Sequence, residues 1–141
     1  MQNHITVSAA CMFNERGQIL LVRKRGTSKF MQPGGKPEPG ETPLDTVLRE
    51  IKEELGLELA PGQLEYHGQW SGDAANEAQT ALLAHLFSLR HSGALEPRAE
   101  LEEILWIDPA EALQRKDLAP LLREKVLPDA LSGQFDEALP C

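Results

Sequence analysis

Three glutamates lie close together on a predicted helix and could hold a divalent cation. In residues 42–55 the apolar side chains recur at helical spacing, and Glu50, Glu53 and Glu54 occupy a neighbouring arc. Side chains three or four residues apart meet on a helix surface, so these like charges repel one another. A Mg²⁺ or Mn²⁺ ion would reverse that repulsion, because hard cations prefer carboxylate oxygens. Taken alone, an acidic arc is also typical of a solvated helix face without a ligand.

A glycine-rich loop leads directly into this helix and favours a ligand site over a solvated face. Residues 34–41 read Gly-Gly-Lys-Pro-Glu-Pro-Gly-Glu, and paired glycines let backbone groups approach a ligand closely. Thr42 is a suitable helix cap, Pro43 suits the first helical position, and Gly56 suits the end of the helix. The loop and the acidic arc are therefore expected to form one unit.

The elements that must position this unit predict an α/β or α+β sandwich. Apolar and β-branched runs predict strands at residues 4–13, 18–22, 57–59, 64–71, 80–89 and 104–107. The first two strands form a predicted hairpin around a turn at 14–17. Residues 30–40 are predicted to be an irregular loop, and residues 109–131 to be helical with breaks at Pro120 and Pro128. A length of 141 residues favours one domain over 1–141.

Charge and composition restrict the class of partner. The net charge of −8, from 22 acidic and 14 basic residues, argues against binding a nucleic acid polymer, whose affinity comes largely from Lys and Arg. It does not argue against a small phosphorylated ligand bridged by a cation. No apolar run approaches the ~20 residues of a membrane helix, so no membrane association is expected. Two cysteines, Cys11 and Cys141, without a Cys/His cluster fit a cytoplasmic protein without zinc.

The spacing of these residues resembles the signature of the Nudix hydrolases. Gly35 is followed after five residues by Glu41, and after seven more by the run Arg49-Glu50-Ile51-Lys52-Glu53-Glu54-Leu55-Gly56-Leu57. Every fixed position of that signature is matched within residues 35–57, which makes the resemblance specific. It implies an α/β/α sandwich with a mixed β-sheet between helices. It also implies hydrolysis of a pyrophosphate bond in a nucleoside diphosphate linked to another moiety.

The same resemblance implies a role for each residue of the signature. Glu50 and Glu54 would be ligands of Mg²⁺ (or Mn²⁺), and Glu53 would be a third ligand or the base that takes a proton from water. Arg49 would orient these carboxylates during catalysis, and Glu41 would pair with Arg49. The backbone of Gly34 would offer a further metal ligand, with Gly35 structural.

Candidates outside the acidic arc are fewer. Arg23, Arg25 and Lys36 could contact substrate phosphates through charge-assisted hydrogen bonds. The resemblance also implies an extra ligand from outside the signature, for which Glu100 and Glu103 are the candidates.

The substrate remains open at this level. The resemblance allows a nucleoside triphosphate, including an oxidised one, or a nucleotide sugar such as ADP-ribose, with residues 71–79 as a selecting loop. The alternative is a non-catalytic Nudix-like domain that binds a nucleotide and regulates a partner. Isomerisation of an isoprenoid diphosphate is a third reaction on the same scaffold, and a homodimer is compatible with the family.

Overall fold

A six-stranded mixed sheet forms the centre of the computed structural model, which describes residues 3–74 and 79–135. The strands are β1 (Asn3–Phe13), β2 (Ile19–Lys24), β3 (Gly34–Gly35), β4 (Glu65–Asp73), β5 (Thr80–Arg90) and β6 (Leu101–Ile107). Their order is β4-β5-β1-β2-β6, with β3 also paired to β1. Strands β1 and β5 are parallel, and all other pairs are antiparallel.

Helices cover both faces of this sheet. Helix α1 (Pro43–Leu55) packs through Val47, Ile51 and Leu55 on the face that carries Ala10 and Met12 of β1. The opposite face is covered by α2 (Pro109–Leu113), a π-helical segment (Leu122–Val126) and α3 (Leu127–Leu131). Because side chains alternate along a strand, β1 contributes to both cores. The predicted α/β/α sandwich with a mixed sheet is confirmed.

Local sequence explains where α1 begins and ends. The Thr42 side chain accepts a hydrogen bond from the backbone N–H of Asp45, and the Asp45 side chain accepts one from the backbone N–H of Thr42. This reciprocal cap satisfies two donors that a helix start otherwise leaves free. At the other end Gly56 has a φ of 69°, a left-handed conformation in which a side chain is strained. The predicted helix is confirmed to within one residue.

The structure corrects several element predictions. Residues 57–59 are not a strand: Leu57 and Leu59 pack against the α1 core without strand pairing. β6 begins at Leu101, three residues before the prediction, and β3 inside the predicted 30–40 loop was not foreseen. Pro128 does not end the C-terminal helix. It follows a π-helical turn, which is a wider turn that accommodates the missing N–H and the bulky ring.

The structure describes one of the two cysteines and part of the predicted selecting loop. Cys11 is a free, buried thiol whose pKa is raised to about 12 by burial, so it stays protonated. Cys141 and residues 75–78 of the predicted selecting loop lie outside the described residues. In the described ranges, no helix reaches the length and apolar character needed to cross a membrane.

Candidate active site

Arg49 is the centre of an ionic network that joins helix α1 to the glycine-rich loop before it. Its Nε and Nη2 atoms lie 2.7 and 3.0 Å from the two carboxylate oxygens of Glu41, a two-point contact. Its Nη1 lies 3.2 Å from Glu50 Oε2 and 3.2 Å from both oxygens of Glu53, and its Nη2 donates to the Lys36 carbonyl at 2.9 Å. One guanidinium therefore ties the glycine-rich loop to the acidic arc, which is the arrangement that a planar fork of donors permits.

This network shifts the protonation equilibria of both partners. The hydrogen bond from Arg49, aided by the backbone N–H of Glu38, lowers the pKa of Glu41 to about 2. The pKa of Arg49 is raised, first by Glu41 and then by Glu53 and Glu50. The arginine therefore stays charged, and Glu41 stays ionised at any physiological pH.

Glu54 is the buried carboxylate of the arc. Only 1% of its surface is exposed, and its Oε1 accepts a hydrogen bond from the backbone N–H of Gly34 at 3.0 Å. Burial raises the pKa of Glu54 to about 8, the Gly34 N–H opposes that rise, and the charge of Glu50 adds to it. A carboxylate that is desolvated and repelled in this way is an oxygen ligand that a divalent cation would stabilise.

Glu50 depends on the absence of a side chain at Gly35. A Cβ built on Gly35 would overlap the Glu50 carboxyl group, and Gly35 itself is paired with Ser8 of β1. Burial raises the pKa of Glu50, while Arg49 lowers it. Gly34 has a φ of 149°, and a Cβ there would press on the Ser8 and Ala9 backbone. Both glycines are therefore required, one by the strand pairing and the other by the carboxylate.

Glu53 differs from its two neighbours because 46% of its side chain is exposed. The carboxylates of Glu53 and Glu50 both accept hydrogen bonds from Arg49. The Glu54 carboxylate accepts one from the backbone N–H of Gly34 instead. Among the described residues no three His, Cys, Asp or Glu side chains converge in a ready-made metal site. The donor set nevertheless fits a hard cation, since it consists of oxygen atoms only and carries buried negative charge.

The network opens into a cleft of about 590 Å³ with two chemically different ends. The charged end is formed by Lys24, Lys36, Glu38, Arg49, Glu50 and Glu100. The apolar end is formed by Ile5, Val7, Leu82, Pro120 and Leu121. Ile5 lies opposite Leu82 in the pairing of β1 with β5, and Val7, Leu82 and Leu121 belong to the core under the C-terminal helices. Lys36 of the predicted phosphate contacts lines the charged end.

Glu100 reaches the charged end through a tightly held turn. The Arg98 N–H donates to the Glu54 carbonyl at 2.8 Å, and the Arg25 N–H donates to the Glu100 carbonyl at 2.8 Å. Ala99 between them has a φ of 54°, which is uncommon for a residue with a side chain. The Glu100 carboxylate lies 3.4 Å from Lys24 Nζ. Of the two predicted outside carboxylates, Glu100 lines the cleft.

The predicted contacts Arg23 and Arg25 do not line this cleft. Arg23 binds Glu103 and Glu102 at 3.1 and 3.3 Å, and Arg25 lies 3.9 Å from Glu102. Acidic residues of the neighbouring strand β6 thus engage both guanidinium groups. The side chain between them, Lys24, alternates to the other side and lines the cleft instead.

Sequence reasoning missed other residues of the cleft. Glu38 lies 3.4 Å from Arg49 Nε, and Gln32 lines the cleft from the segment before the glycines. An acidic residue close to Glu41 in the loop was a signal for Glu38. For Ile5 and Leu82 there was none, because an apolar residue on a strand is normally a core residue.

Comparison with known proteins places these features in a family. The family model described as "NUDIX domain" matches residues 2–130. An 8-oxo-dGTP diphosphatase of Haemophilus influenzae is 32% identical over 109 residues, covering 74% of this chain and 76% of that protein. An RNA pyrophosphohydrolase of a Marinomonas species is 36% identical over 74 residues, covering 52% and 45%. An isopentenyl-diphosphate Delta-isomerase of Shigella dysenteriae is 31% identical over 118 residues, covering 77% and 64%.

The chain thus spans only about half to three quarters of the length of these curated relatives. Among solved structures, a MutT protein of Methanosarcina mazei superposes with a TM-score of 0.76 at 26% identity, covering 97% of this chain and 96% of that one. The family match, the fold and the geometry of residues 35–57 agree. The chain belongs to the Nudix hydrolase family.

Proposed function

We propose that this protein is a metal-dependent pyrophosphohydrolase that cleaves a pyrophosphate bond in a nucleoside diphosphate derivative. The observation that carries the proposal is the Arg49 network beside the buried Glu54 carboxylate, at the wall of a cleft with a charged and an apolar end. A nucleotide has a matching polarity, since it joins an anionic phosphate chain to an uncharged base with apolar ring faces.

The proposed roles of the three glutamates of the acidic arc follow from how deeply each carboxylate is buried. Glu50 and Glu54, which are desolvated, are the proposed ligands of Mg²⁺ or Mn²⁺, and the Gly34 backbone is a further one. Glu53 is half exposed, so it serves as a third ligand or as the base that accepts the proton of the attacking water. A divalent cation held there supplies neutralisation of phosphate charge and a lowered pKa for bound water. Arg49, fixed by Glu41, keeps the carboxylates in place.

The charged end also supplies cations for the substrate. Lys24 and Lys36 line the cleft and are the proposed contacts for the phosphate chain. Arg23 and Arg25 are assigned only a secondary role, through the positive potential of the loop, because acidic neighbours engage them. Glu100 is the proposed additional carboxylate from outside the signature.

The proposed substrate is a free nucleotide, with nucleoside triphosphates first and nucleotide sugars second. The similarity to an 8-oxo-dGTP diphosphatase, which the chain covers over 76% of its length, supports this order. The net charge of −8 favours a small ligand over a nucleic acid polymer. This reaction needs no membrane, and a cytoplasmic location is consistent with it.

A second reaction is favoured by one observation. The similarity to isopentenyl-diphosphate isomerases is of comparable identity and extent, at 31% over 118 residues. The same acidic arc could hold a cation against an isoprenoid diphosphate. The two candidates differ in product, because isomerisation conserves the diphosphate whereas hydrolysis releases phosphate or pyrophosphate.

The test is a substrate panel with defined metals. Nucleoside triphosphates, 8-oxo-dGTP, ADP-ribose and isopentenyl diphosphate are each incubated with Mg²⁺, Mn²⁺ or a chelator, and released phosphate, pyrophosphate and isomer are measured. We expect hydrolysis of a nucleotide that depends on the metal. Glu54→Gln should lower kcat by about 10³-fold, because it removes a charged ligand from the catalytic centre.

Glu58→Gln is the matched control. Glu58 follows the same helix, is 77% exposed and pairs with Lys52 rather than with the cleft. Its variant should keep wild-type activity. Full activity of Glu54→Gln and Glu53→Gln, or tight nucleotide binding without turnover under either metal, would contradict the proposed function and favour a regulatory domain.

A further inference from the structure

Gln32 carries an amide nitrogen that the fold buries without a hydrogen-bond partner. Only 5% of its surface is exposed, and within residues 3–74 and 79–135 its Nε2 is the one buried side-chain nitrogen or oxygen that makes no hydrogen bond. Folded proteins rarely leave a buried donor unpaired, because it has given up its bonds to water without replacement. Such a group requires an explanation.

The backbone around Gln32 is held from both sides. The N–H and carbonyl groups of Met31 bond to Val22 of β2, both at 2.8 Å, and the Pro33 carbonyl accepts from the Ala10 N–H of β1 at 2.9 Å. The segment is therefore extended and wedged between two strands. The backbone at Gln32 is held on both sides, and its side chain lines the cleft from this position.

Gln32 lies on the sheet face of the apolar end. Phe30, two residues earlier, belongs to the core under the C-terminal helices, and alternation in an extended segment puts Gln32 on the same face. Gln32 lines the same cleft as Val7, Leu82 and Leu121. Most of the side chains around it there are apolar, although Ser8 and Asp73 also line the cleft.

This placement defines the missing partner. An amide N–H₂ can only donate, so its complement is an acceptor on the part of the ligand that enters the apolar end. The anionic part of that ligand points to Lys24, Lys36 and the arc at the other end. For a nucleotide, the part at the apolar end is the base, and its most accessible acceptor is an exocyclic keto oxygen.

We infer that Gln32 is a specificity-determining residue, whose amide nitrogen donates a hydrogen bond to the keto oxygen of the substrate base. The cleft therefore favours a nucleotide with a keto base, such as a 6-oxopurine, over one with an amino group at the same position. The inference rests on the proposed function, because it assigns the base of that nucleotide to the apolar end.

Inosine and adenosine triphosphates form the sharpest pair of probes, since they differ at position 6 of the purine. We expect the wild-type protein with Mg²⁺ to prefer inosine triphosphate by about 10-fold in kcat/KM, as expected for a site that pairs one ligand and leaves its own donor unpaired with the other. Gln32→Met keeps the length of the side chain and removes the donor. It should lower kcat/KM for inosine triphosphate by about 10-fold and change that for adenosine triphosphate by less than about 2-fold.

Two further measurements separate this role from a structural one. Gln32→Met should keep or raise the melting temperature, because the amide nitrogen it removes has no partner in the protein. Gln69→Met, an exposed position on β4 outside the cleft, should leave both substrates unchanged. A lower melting temperature together with equal losses for both nucleotides overturns the inference, as does a preference for the adenosine nucleotide.

Binding without turnover distinguishes failure of the inference from failure of the proposed function. Inosine and adenosine monophosphates are titrated by calorimetry or NMR in the absence of metal. If no nucleotide is hydrolysed but inosine monophosphate binds more tightly in a Gln32-dependent manner, only the proposed function fails. If nucleotides are hydrolysed with no discrimination at position 6, only the inference fails. If no nucleotide is hydrolysed and neither monophosphate binds, both fail.

Discussion

The two ends of the cleft are built in opposite ways. Most of the charged end comes from one continuous stretch, residues 34–54, and a single side chain, Arg49, connects its carboxylates. The apolar end comes from segments far apart in the chain, around Ile5, Leu82 and Leu121. At the charged end, most contacts join residues that are close in sequence. At the apolar end, the contacts join residues from distant segments that the sheet brings together.

We expect this difference to separate the residues of the reaction from those that select the substrate. The contacts of Arg49 at the charged end depend mainly on spacing within a helix and its preceding loop. The apolar end depends on the register of β1 with β5, which joins residues 77 positions apart, and on the packing of the C-terminal helices, which joins residues more than a hundred positions apart. We therefore expect changes at the charged end to act on kcat, and changes at the apolar end to act on KM and substrate choice.

Within the comparison of the two ends, the largest effect should follow from removing Arg49. Arg49→Ala leaves Glu41, Glu50 and Glu53 without their shared cation, so kcat/KM for nucleotide hydrolysis should fall by about 10²-fold. Arg49→Lys should recover only part of this loss, because an ammonium cannot make the two-point contact with Glu41. Lys52→Ala, on the same helix but directed to Glu58, is the control. Equal activity of all three variants would contradict the proposed role of the charged end in hydrolysis.

A methyl group at Gly35 tests the contact between the loop and the arc. Gly35→Ala should displace the Glu50 carboxylate and weaken metal-dependent activity by about 10-fold or more, with a higher metal concentration needed for half activity. Gly62→Ala is the matched control, since a Cβ there meets nothing within 4 Å. The prediction is wrong if both alanine variants respond to Mg²⁺ as the wild-type protein does.

The apolar end should respond differently. Leu82→Ala removes apolar surface from the cleft, so KM for the preferred nucleotide should rise by about 5-fold while kcat changes by less than about 2-fold. Leu131→Ala, a half-exposed leucine of α3, controls for general effects of apolar loss. A fall in kcat at constant KM would mean that the two ends do not divide chemistry from binding as described.

The last effect is on stability without metal rather than on activity. The pKa of Glu54 is about 8 in the folded chain against an ordinary value of 4.5, so the folded form holds a proton that the unfolded form loses between these pH values. Stability should therefore decline as pH rises from about 4.5 to 8. Glu54→Gln should remove this decline and stabilise the metal-free protein by about 1–3 kcal/mol above pH 8. Thermal unfolding with a chelator at pH 5 to 9 checks the slope, with Glu58→Gln as control.

Prediction from sequence succeeded where residues act on near neighbours. The cap at Thr42, the end of α1 at Gly56 and the pairing of Glu41 with Arg49 all depend on contacts within a few residues or one helical turn. It failed at residues 57–59, where apolar alternation is satisfied by packing on the α1 core rather than by strand pairing. Short apolar runs do not distinguish these two outcomes.

The same limit applies within the basic run 23–25. Its composition indicated phosphate contacts, but only the alternation of β2 and its pairing with β6 decide which side chain faces the cleft. Arg23 forms ion pairs with Glu102 and Glu103, residues about eighty positions away. Lys24 lines the cleft. A charge run carries no information about such distant partners.

The sequence by itself indicated the family, the acidic arc and the arginine beside it, because these are set by spacing along one helix and its loop. Only the tertiary structure decided that Glu54 is buried while Glu53 is half exposed, that Gly35 makes room for Glu50, and that Gln32 has an unpaired amide. Whether a side chain is buried or hydrogen-bonded depends on which other segments of the chain pack against it. They arise when the sheet and helices pack together, and no local pattern encodes them.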